Sequence, residues 1–302
     1  MSTSFGDIPD RTGFDRVLAF TLPDLNARGR VVRLGPVLDT VLSAHAYPET
    51  IRHLLAEALV LTVLMGSLLK EADSQLTFQI QAEGGPVDLI VCDYRMAELR
   101  GYVRYDPEGL AGIGANPQIA RLFGEGYLAV TFDLAETSER YQGIVQLEGG
   151  TLSQACEAYF SQSEQVPTLL RVAVRSEGER SIAGGLFIQH FPEGEEGGVR
   201  LATKVDDADW DHVVALASSI RHGELVEPDL SLEQLVWRLF HAEGEVRVEP
   251  KEPLRRGCRC TSDHFRSVLM RFPEGERASM RDDAGLIPVD CAFCSKIFPI
   301  EA

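Results

Sequence analysis

The chain has 302 residues, 44% hydrophobic and 25% charged, enough for a sizeable core and more than one domain. Its formal net charge of −17 argues against nucleic-acid binding, which needs a basic patch to neutralise phosphates. The long apolar run, Ala58 to Leu69 within Leu54–Leu69, is too short to cross a bilayer and reads as a buried core helix.

In chain order, Met1–Arg16 is polar with both signs of charge, and residues 1–16 read as a flexible extension without a secretory signal. With no membrane anchor either, the expected location is the cytosol, with no membrane or nucleic-acid partner. Thiols stay reduced there, so a cysteine cluster is metal-binding or redox-sensing rather than a disulfide framework. Helical periodicity follows at Leu54, Leu55, Ala58 and Leu59. Strands are predicted at Leu76–Gln81, Val87–Cys92, Leu99–Tyr105, Tyr127–Leu134 and Gly143–Leu147. A second helix is marked by Leu152, Ala155, Cys156, Tyr159 and Phe160, with strands after it at Leu170–Arg175 and Leu186–Phe191. The strands come in runs separated by turns, which favours an α+β core domain over residues 17–192 with a largely antiparallel sheet. Cys92 and Cys156 fall on apolar faces and read as inert core thiols.

Gly109–Gly114 and Gly149-Gly150 lack the spacing and the following Lys-Ser/Thr of a phosphate loop, and read as turns. His45, His53 and His190 are scattered, with no evident partner. No Ser-His-Asp order, His-Glu-x-x-His motif or carboxylate pair stands out, so nothing in the chain announces an enzyme.

After Phe191-Pro192 the composition changes. A Gly/Glu loop at Glu193–Gly198 precedes two amphipathic patterns, Trp210, Val213, Val214, Ala217 and Ile220, then Leu232, Leu235, Val236, Leu239 and Phe240 with Trp237 beside them. The second opens on Ser231-Leu232-Glu233-Gln234, a capping-box spacing after Pro228. Short helices with narrow apolar stripes take their order mostly from docking. Residues 193–257 are either an ordinary helical subdomain or a metastable linker whose docking depends on the C-terminal segment beside it. A face that undocks can bind other apolar surfaces.

That C-terminal segment, residues 258–302, is a small module holding four of the six cysteines as Cys258-Arg259-Cys260 and Cys291-Ala292-Phe293-Cys294. As thiolates they can hold one tetrahedral Zn²⁺. Oxidised, each close pair can form a disulfide and expel the metal. Zinc binding by so small a module is also its folding free energy, roughly 10–16 kcal/mol in zinc-finger peptides. Spacing alone leaves two readings open, a static structural zinc ribbon and a thiol switch. The tight Cys-x-Cys leans toward the switch. His264 could replace a sulfur, but four cysteines complete the set and leave it an exposed helical histidine.

Cys-x-Cys, 30 intervening residues and Cys-x-x-Cys together resemble the redox-regulated heat-shock chaperone family, also called the 33 kDa chaperonin. Glu139-Arg140-Tyr141-Gln142-Gly143-Ile144-Val145 with Leu147-Glu148-Gly149 is similar to its core-strand signature. So are Ala183-Gly184-Gly185-Leu186 with Gln189 and Pro192, and Tyr159-Phe160 with Ser163-Glu164-Gln165 and Pro167. Val236-Trp237-Arg238-Leu239-Phe240-His241 resembles its linker helix, and His45-Ala46-Tyr47-Pro48 with Leu54-Leu55-Ala56-Glu57-Ala58 fits as well. The likeness runs from about Val17 to Phe298.

The resemblance implies a reduced, weakly active monomer with one Zn²⁺ per chain on Cys258, Cys260, Cys291 and Cys294. Peroxide or hypochlorite, usually with heat, would then form the disulfides Cys258–Cys260 and Cys291–Cys294, release zinc and unfold module and linker. The product would be a dimeric, ATP-independent holdase for unfolding client proteins under oxidative and heat stress. The lack of a nucleotide loop agrees. Candidate client contacts are Trp210, Val213, Val214, Leu235, Trp237, Leu239 and Phe240, with the core sheet uncovered beside them. Two alternatives are a constitutive zinc-stabilised scaffold protein and a thiol-disulfide oxidoreductase acting through Cys291–Cys294. The second lacks a thioredoxin-like βαβ context. One departure is Thr261-Ser262-Asp263-His264-Phe265-Arg266, where the family usually has a Ser-Arg-Glu-Arg-like helix start, a difference that bears on how the module docks.

Given that pairing, Cys291–Cys294 has the spacing of many redox disulfides, whereas Cys258–Cys260 closes a very tight ring. Mass spectrometry of protein oxidised at low temperature is expected to find Cys291–Cys294 first, and Cys258–Cys260 only after heat loosens the module. The reverse order would refute this.

Overall fold

The computed structural model of the protein describes residues 13–71, 73–114, 117–191 and 208–301. The expected loop Glu193–Gly198 and most of the expected N-terminal extension lie outside the described residues. The chain opens with β1 (Arg16–Leu22) and β2 (Ala27–Leu34), joined by a 3-10 turn at Pro23–Leu25 with Asn26 in the left-handed region. Two helices come next, α1 (Pro36–Leu42) and α2 (Glu49–Gly66). Then come β3 (Gln75–Gly84), β4 (Val87–Arg95) and β5 (Glu98–Tyr105). The short helices α3 (Pro107–Ala111) and α4 (Ile119–Phe123) lead to β6 (Gly124–Asp133) and β7 (Arg140–Gln146). The next helix, α5 (Leu152–Tyr159), is capped by Thr151 and precedes β8 (Thr168–Glu177) and β9 (Arg180–His190).

The last third holds α6 (Ala208–Ser218), α7 (His222–Leu225) and α8 (Leu232–Phe240), then β10 (Arg247–Pro250) and β11 (Arg255–Arg256). It ends with α9 (Ser262–Leu269), α10 (Glu274–Met280), β12 (Ile287–Asp290) and β13 (Ile297–Ile300). The expected α+β class with an antiparallel core is what the protein adopts. One sheet has the order β10-β1-β2-β9-β8 and is wholly antiparallel. The other has the order β11-β5-β4-β3-β6-β7 and is antiparallel except where β11 joins β5. A small hairpin, β12-β13, stands apart.

All seven expected strands are present, as are both core helices, with ends shifted by a few residues. The hairpin β1-β2 lies outside the expected strands: β1 is a continuous apolar run and β2 carries three arginines, so neither shows a clean alternation. In β9, ten of eleven residues are buried. On one side lies α2, whose buried residues from Ile51 to Met65 pack between the two sheets with Val32, Leu34 and Phe187 on one hand and Phe78, Ile80 and Leu128 on the other. On the opposite side of the first sheet, Val213, Leu225, Leu235, Val236 and Phe240 close over Phe20, Val31, Leu186 and Ile188. Each such side chain contributes about 2 kcal/mol of gross transfer free energy.

Gly184 and Gly185 make this double covering possible. A Cβ on Gly184 would lie 2.2 Å from the Leu225 carbonyl oxygen, and one on Gly185 would lie 2.5 Å from Val60. The helices therefore approach β9 from both sides at a distance only glycine permits.

Arg33 is 1% exposed and faces the helices after residue 208. Its Nε donates to the Leu225 carbonyl at 3.0 Å, Nη1 to Leu230 at 2.5 Å and Nη2 to Glu224 at 3.1 Å. The Glu224 and Leu225 carbonyls lie at the end of α7, where the helix leaves acceptors unpaired, and the Leu230 carbonyl lies just before the N-cap of α8. Burial pulls the guanidinium pKa down to about 10, yet it stays charged at neutral pH. Beyond α8, β10 pairs with β1, Leu254 enters the core between the sheets, and β11 pairs with β5. The chain thus crosses from one sheet to the other just before the cysteines.

Replacing Arg33 by Met leaves the buried Leu225 carbonyl and the half-buried Leu230 carbonyl without their side-chain donor. The expected cost to docking of α7 and α8 is about 3 kcal/mol. Hydrogen exchange on the reduced protein should be faster from His222 to Phe240 and unchanged in β3–β7. Wild-type protection there would refute the role.

Candidate metal centre

The chain enters the C-terminal module through Gly257, whose N–H donates to the Leu99 carbonyl at 3.0 Å. A Cβ there would meet the Glu98 Cβ at 2.4 Å, so the strand leading to Cys258 can lie this close to β5 only as glycine. Cys291 and Cys294 sit in the turn between β12 and β13. The Cys294 and Ser295 N–H groups both donate to the Cys291 carbonyl, at 3.1 and 2.8 Å, and Ser295 adopts a left-handed φ of 54°.

The atypical stretch after Cys260 folds as a normally capped helix. The Thr261 hydroxyl accepts from the His264 N–H at 3.1 Å, as an N-cap should. The Phe265 ring packs on Phe298, 5.1 Å between centroids, and Arg266 Nε donates to the Glu301 carbonyl. His264 is exposed and takes no part in the thiol cluster, as its position suggested.

The module's own buried residues are only Leu269, Ile287, Cys291, Phe298 and Ile300. Segments this small rarely fold on apolar burial alone. The four sulfurs of Cys258, Cys260, Cys291 and Cys294 form a cluster that could hold a metal ion as the missing tie. All lie within 4.8 Å of one another, with Cys258–Cys260 at 3.2 Å, Cys258–Cys291 at 3.6 Å and Cys260–Cys294 at 3.5 Å. Tetrahedral sulfurs at about 2.3 Å from a zinc ion stand about 3.8 Å apart, so this set fits a four-sulfur metal site. All four are free thiols. Burial pushes the Cys258 thiol up, but hydrogen bonds from Cys260, Cys291 and Cys294 outweigh it and bring it down to about 7. Burial first, then the contacts with neighbouring sulfurs, pushes Cys260 and Cys291 up. The opposite shifts belong to the cluster as a whole.

The residues between the cysteines hold the module on the outer face of the second sheet. Arg259 donates to Gln75 Oε1 at 2.7 Å and pairs with Asp93 at 3.6 Å. Asp93 is 4% exposed and also accepts from Thr77 and Arg100, both at 2.7 Å. The Phe293 ring lies under the Arg100 guanidinium, 4.0 Å away, and edge-on to Tyr102 at 5.0 Å and 85°. His45 Nε2 lies 2.9 Å from the Ala292 carbonyl, and its Nδ1 lies 2.9 Å from the Ser295 hydroxyl. A carbonyl can only accept, so the proton is on Nε2 and Nδ1 accepts from Ser295.

His45 therefore has partners after all, hidden from a sequence reading because they lie about 250 residues away. His190 likewise stacks on Trp210 at 5.6 Å. Cys92 and Cys156 are fully buried, and burial pushes both thiols up, in keeping with an inert core role. Of the expected client contacts, Val213, Leu235 and Phe240 are buried against the first sheet and Trp210 and Leu239 pack at its rim. Val214 is half-buried, and Trp237 is 63% exposed, stacked on His241. Arg259 and Phe293 escaped notice as anchors, although their place inside each cysteine pair was the available signal. Arg100, Tyr102 and Asp93 gave none.

Among the described residues, no helix is long and apolar enough to cross a membrane. A family model described as "Hsp33 protein" matches residues 15–301. The chain is 40% identical over 305 residues to the 33 kDa chaperonin of Caulobacter vibrioides (strain NA1000 / CB15N), covering 98% of each. It is 32% identical over 289 residues to the 33 kDa chaperonin of Shigella boydii serotype 4 (strain Sb227), covering 95% of this chain and 92% of that one. The crystal structure of the 33 kDa chaperonin from Thermotoga maritima has the same fold, with a TM-score of 0.75 over 94% of each chain at 20% identity.

Stripping metal from the reduced protein with a strong chelator should abolish hydrogen-exchange protection in α9 and β12–β13 while leaving β3–β7 protected. Persistent protection in the hairpin would mean that the five buried residues hold the module unaided.

Proposed function

Since the chain belongs to the Hsp33 family, we propose that this chaperone is a redox-switched holdase that binds unfolding proteins without ATP and keeps them from aggregating under oxidative and heat stress. The observation that carries this reading is that the four clustered thiols flank the very residues that anchor the module to the core. Zn²⁺, one per chain in the reduced state, would be held by Cys258, Cys260, Cys291 and Cys294, where it keeps the sulfurs deprotonated and ties the module together.

Oxidation withdraws these ligands. Within Cys291–Cys294, and then Cys258–Cys260, two thiolates give up two electrons to a peroxide. A sulfur–sulfur bond forms, the oxygen–oxygen bond breaks, and two protons complete two waters. The module then loses its tie, and Arg259 and Phe293 lose the loops that present them. The segment at β11 joins module to linker directly, so release of the module removes one end of the strap that passes Leu254 between the sheets. In this reading residues 17–192 are the core, 193–257 the linker and 258–302 the switch. The linker's apolar face, with Val213, Leu235 and Phe240, becomes client-binding surface as it leaves the first sheet. Dimerisation would result from the same exposure. A cytoplasmic setting suits thiols that must start reduced, and the charge of −17 speaks against a nucleic-acid partner.

The deciding experiment is light scattering from a heat-unfolding client, with the protein added either reduced and zinc-loaded or peroxide-treated at elevated temperature. Suppression by the oxidised form alone is expected. Equal suppression by both forms would remove the redox control, and suppression by neither would remove the holdase.

A further inference from the structure

The anchor of the Cys-x-x-Cys turn is not a generic apolar contact. Phe293 sits in a socket built from three core residues: Arg100 above the ring at 4.0 Å, Tyr102 edge-on at 5.0 Å, and His45 holding the preceding carbonyl at 2.9 Å. The socket is built independently of its occupant. Asp93, which is buried, fixes Arg100 through a 2.7 Å bond to Nε. The Tyr47 ring stacks on His45 at 4.8 Å, and its hydroxyl donates to the Val103 carbonyl at 3.1 Å and accepts from the Val103 N–H at 2.9 Å. Arg100 and His45 thus each have a partner within the core, independent of Phe293.

Its specificity can be read from those groups. The guanidinium face and the tyrosine edge both favour an aromatic ring over an aliphatic side chain. The Nε2–H of His45 selects a backbone carbonyl one residue before that ring. Together they recognise a backbone carbonyl followed one residue later by an aromatic ring, presented here by the Cys291–Cys294 turn, and unfolded polypeptides that contain aromatic residues can offer the same pair of groups. Beyond the socket, strand register lays Tyr102, Val91, Gln79, Ala129 and Ile144 in one row across the outer face of five strands. Ile144 at the far end is 57% exposed. A chain seated in the socket could thus continue across the sheet over partly apolar ground.

We propose that the Phe293 socket is a client-binding site for aromatic residues of unfolded polypeptides, and that Ala292-Phe293 is a built-in competitor that occupies it until the module is released. The proposal rests on the holdase reading and names a surface of the second sheet, on the opposite side of the core from the helices α6–α8. It explains why an arginine and a tyrosine on a polar sheet face meet the one aromatic residue enclosed by the cysteines. It also means that a single undocking event both frees the linker and opens a second site.

The test uses the full-length protein and two fluorescently labelled, permanently unfolded polypeptides, one containing Ala-Phe steps and a twin with every Phe replaced by Leu. Oxidised wild-type protein should bind the Phe polypeptide about fivefold tighter than its twin. Tyr102→Ala should erase that preference, and Tyr102→Phe should largely restore it. In the reduced, zinc-loaded state, Phe293→Ala should bind the Phe polypeptide without oxidant while still carrying one zinc per chain, checked by metal analysis. Equal binding of both polypeptides by oxidised wild type would overturn the socket and leave the holdase standing. Failure to bind either would defeat both readings. A Phe293→Ala protein as inactive as reduced wild type would overturn the competition.

Discussion

Four sulfurs within 4.8 Å of one another hold together a module with five buried residues, and the arrangement of everything near it inherits that tie. So small an apolar core does not offset the conformational entropy of ordering roughly 45 residues. The module's fold, its placement of Arg259 and Phe293, and its grip on the second sheet all depend on whether those sulfurs remain grouped.

The core is built to withstand that loss. Its largest buried element, α2, is packed between two sheets, with apolar side chains meeting it from both. Apart from Leu254, carried in by the strap before the module, this central layer is supplied by residues of the two sheets and of the helices between β2 and β9. The outer layers are held differently. On the first sheet, α6–α8 are kept by a modest apolar face and by one buried guanidinium that directs its donors at three main-chain carbonyls. On the second sheet, the module is kept by an arginine, a phenylalanine and a histidine bond. Polar contacts of this kind are geometrically demanding, so they fail together when geometry changes. A stable centre with two conditionally held covers is the architecture a switch requires.

The acidic overall charge fits this division. Arg95, Arg100 and Arg259 gather around Asp93 and Glu98 at the module's dock, a locally basic spot in a protein of net charge −17. Self-repulsion elsewhere favours solubility while apolar faces are exposed, whereas the dock itself is stitched by opposite charges in partly dry surroundings.

The sequence by itself determined the pairing of the four clustered cysteines, the strands β3–β9, the two core helices and the amphipathic pattern of α6 and α8. These depend on local spacing: two cysteines per turn, period-two alternation where a sheet is covered on one face, and a capping box at Ser231. Strands β1 and β2 were not read because β1 is a continuous apolar run and β2 carries three arginines, so neither shows a period-two pattern. Tertiary structure alone decided what His45, Arg33, Arg100 and Tyr102 do. Their partners lie far off in sequence, up to 250 residues for His45 and Ser295, and only the packing of two sheets around α2 brings them into contact. A motif can carry its own chemistry in a few residues, whereas the site it is docked against is assembled by the fold.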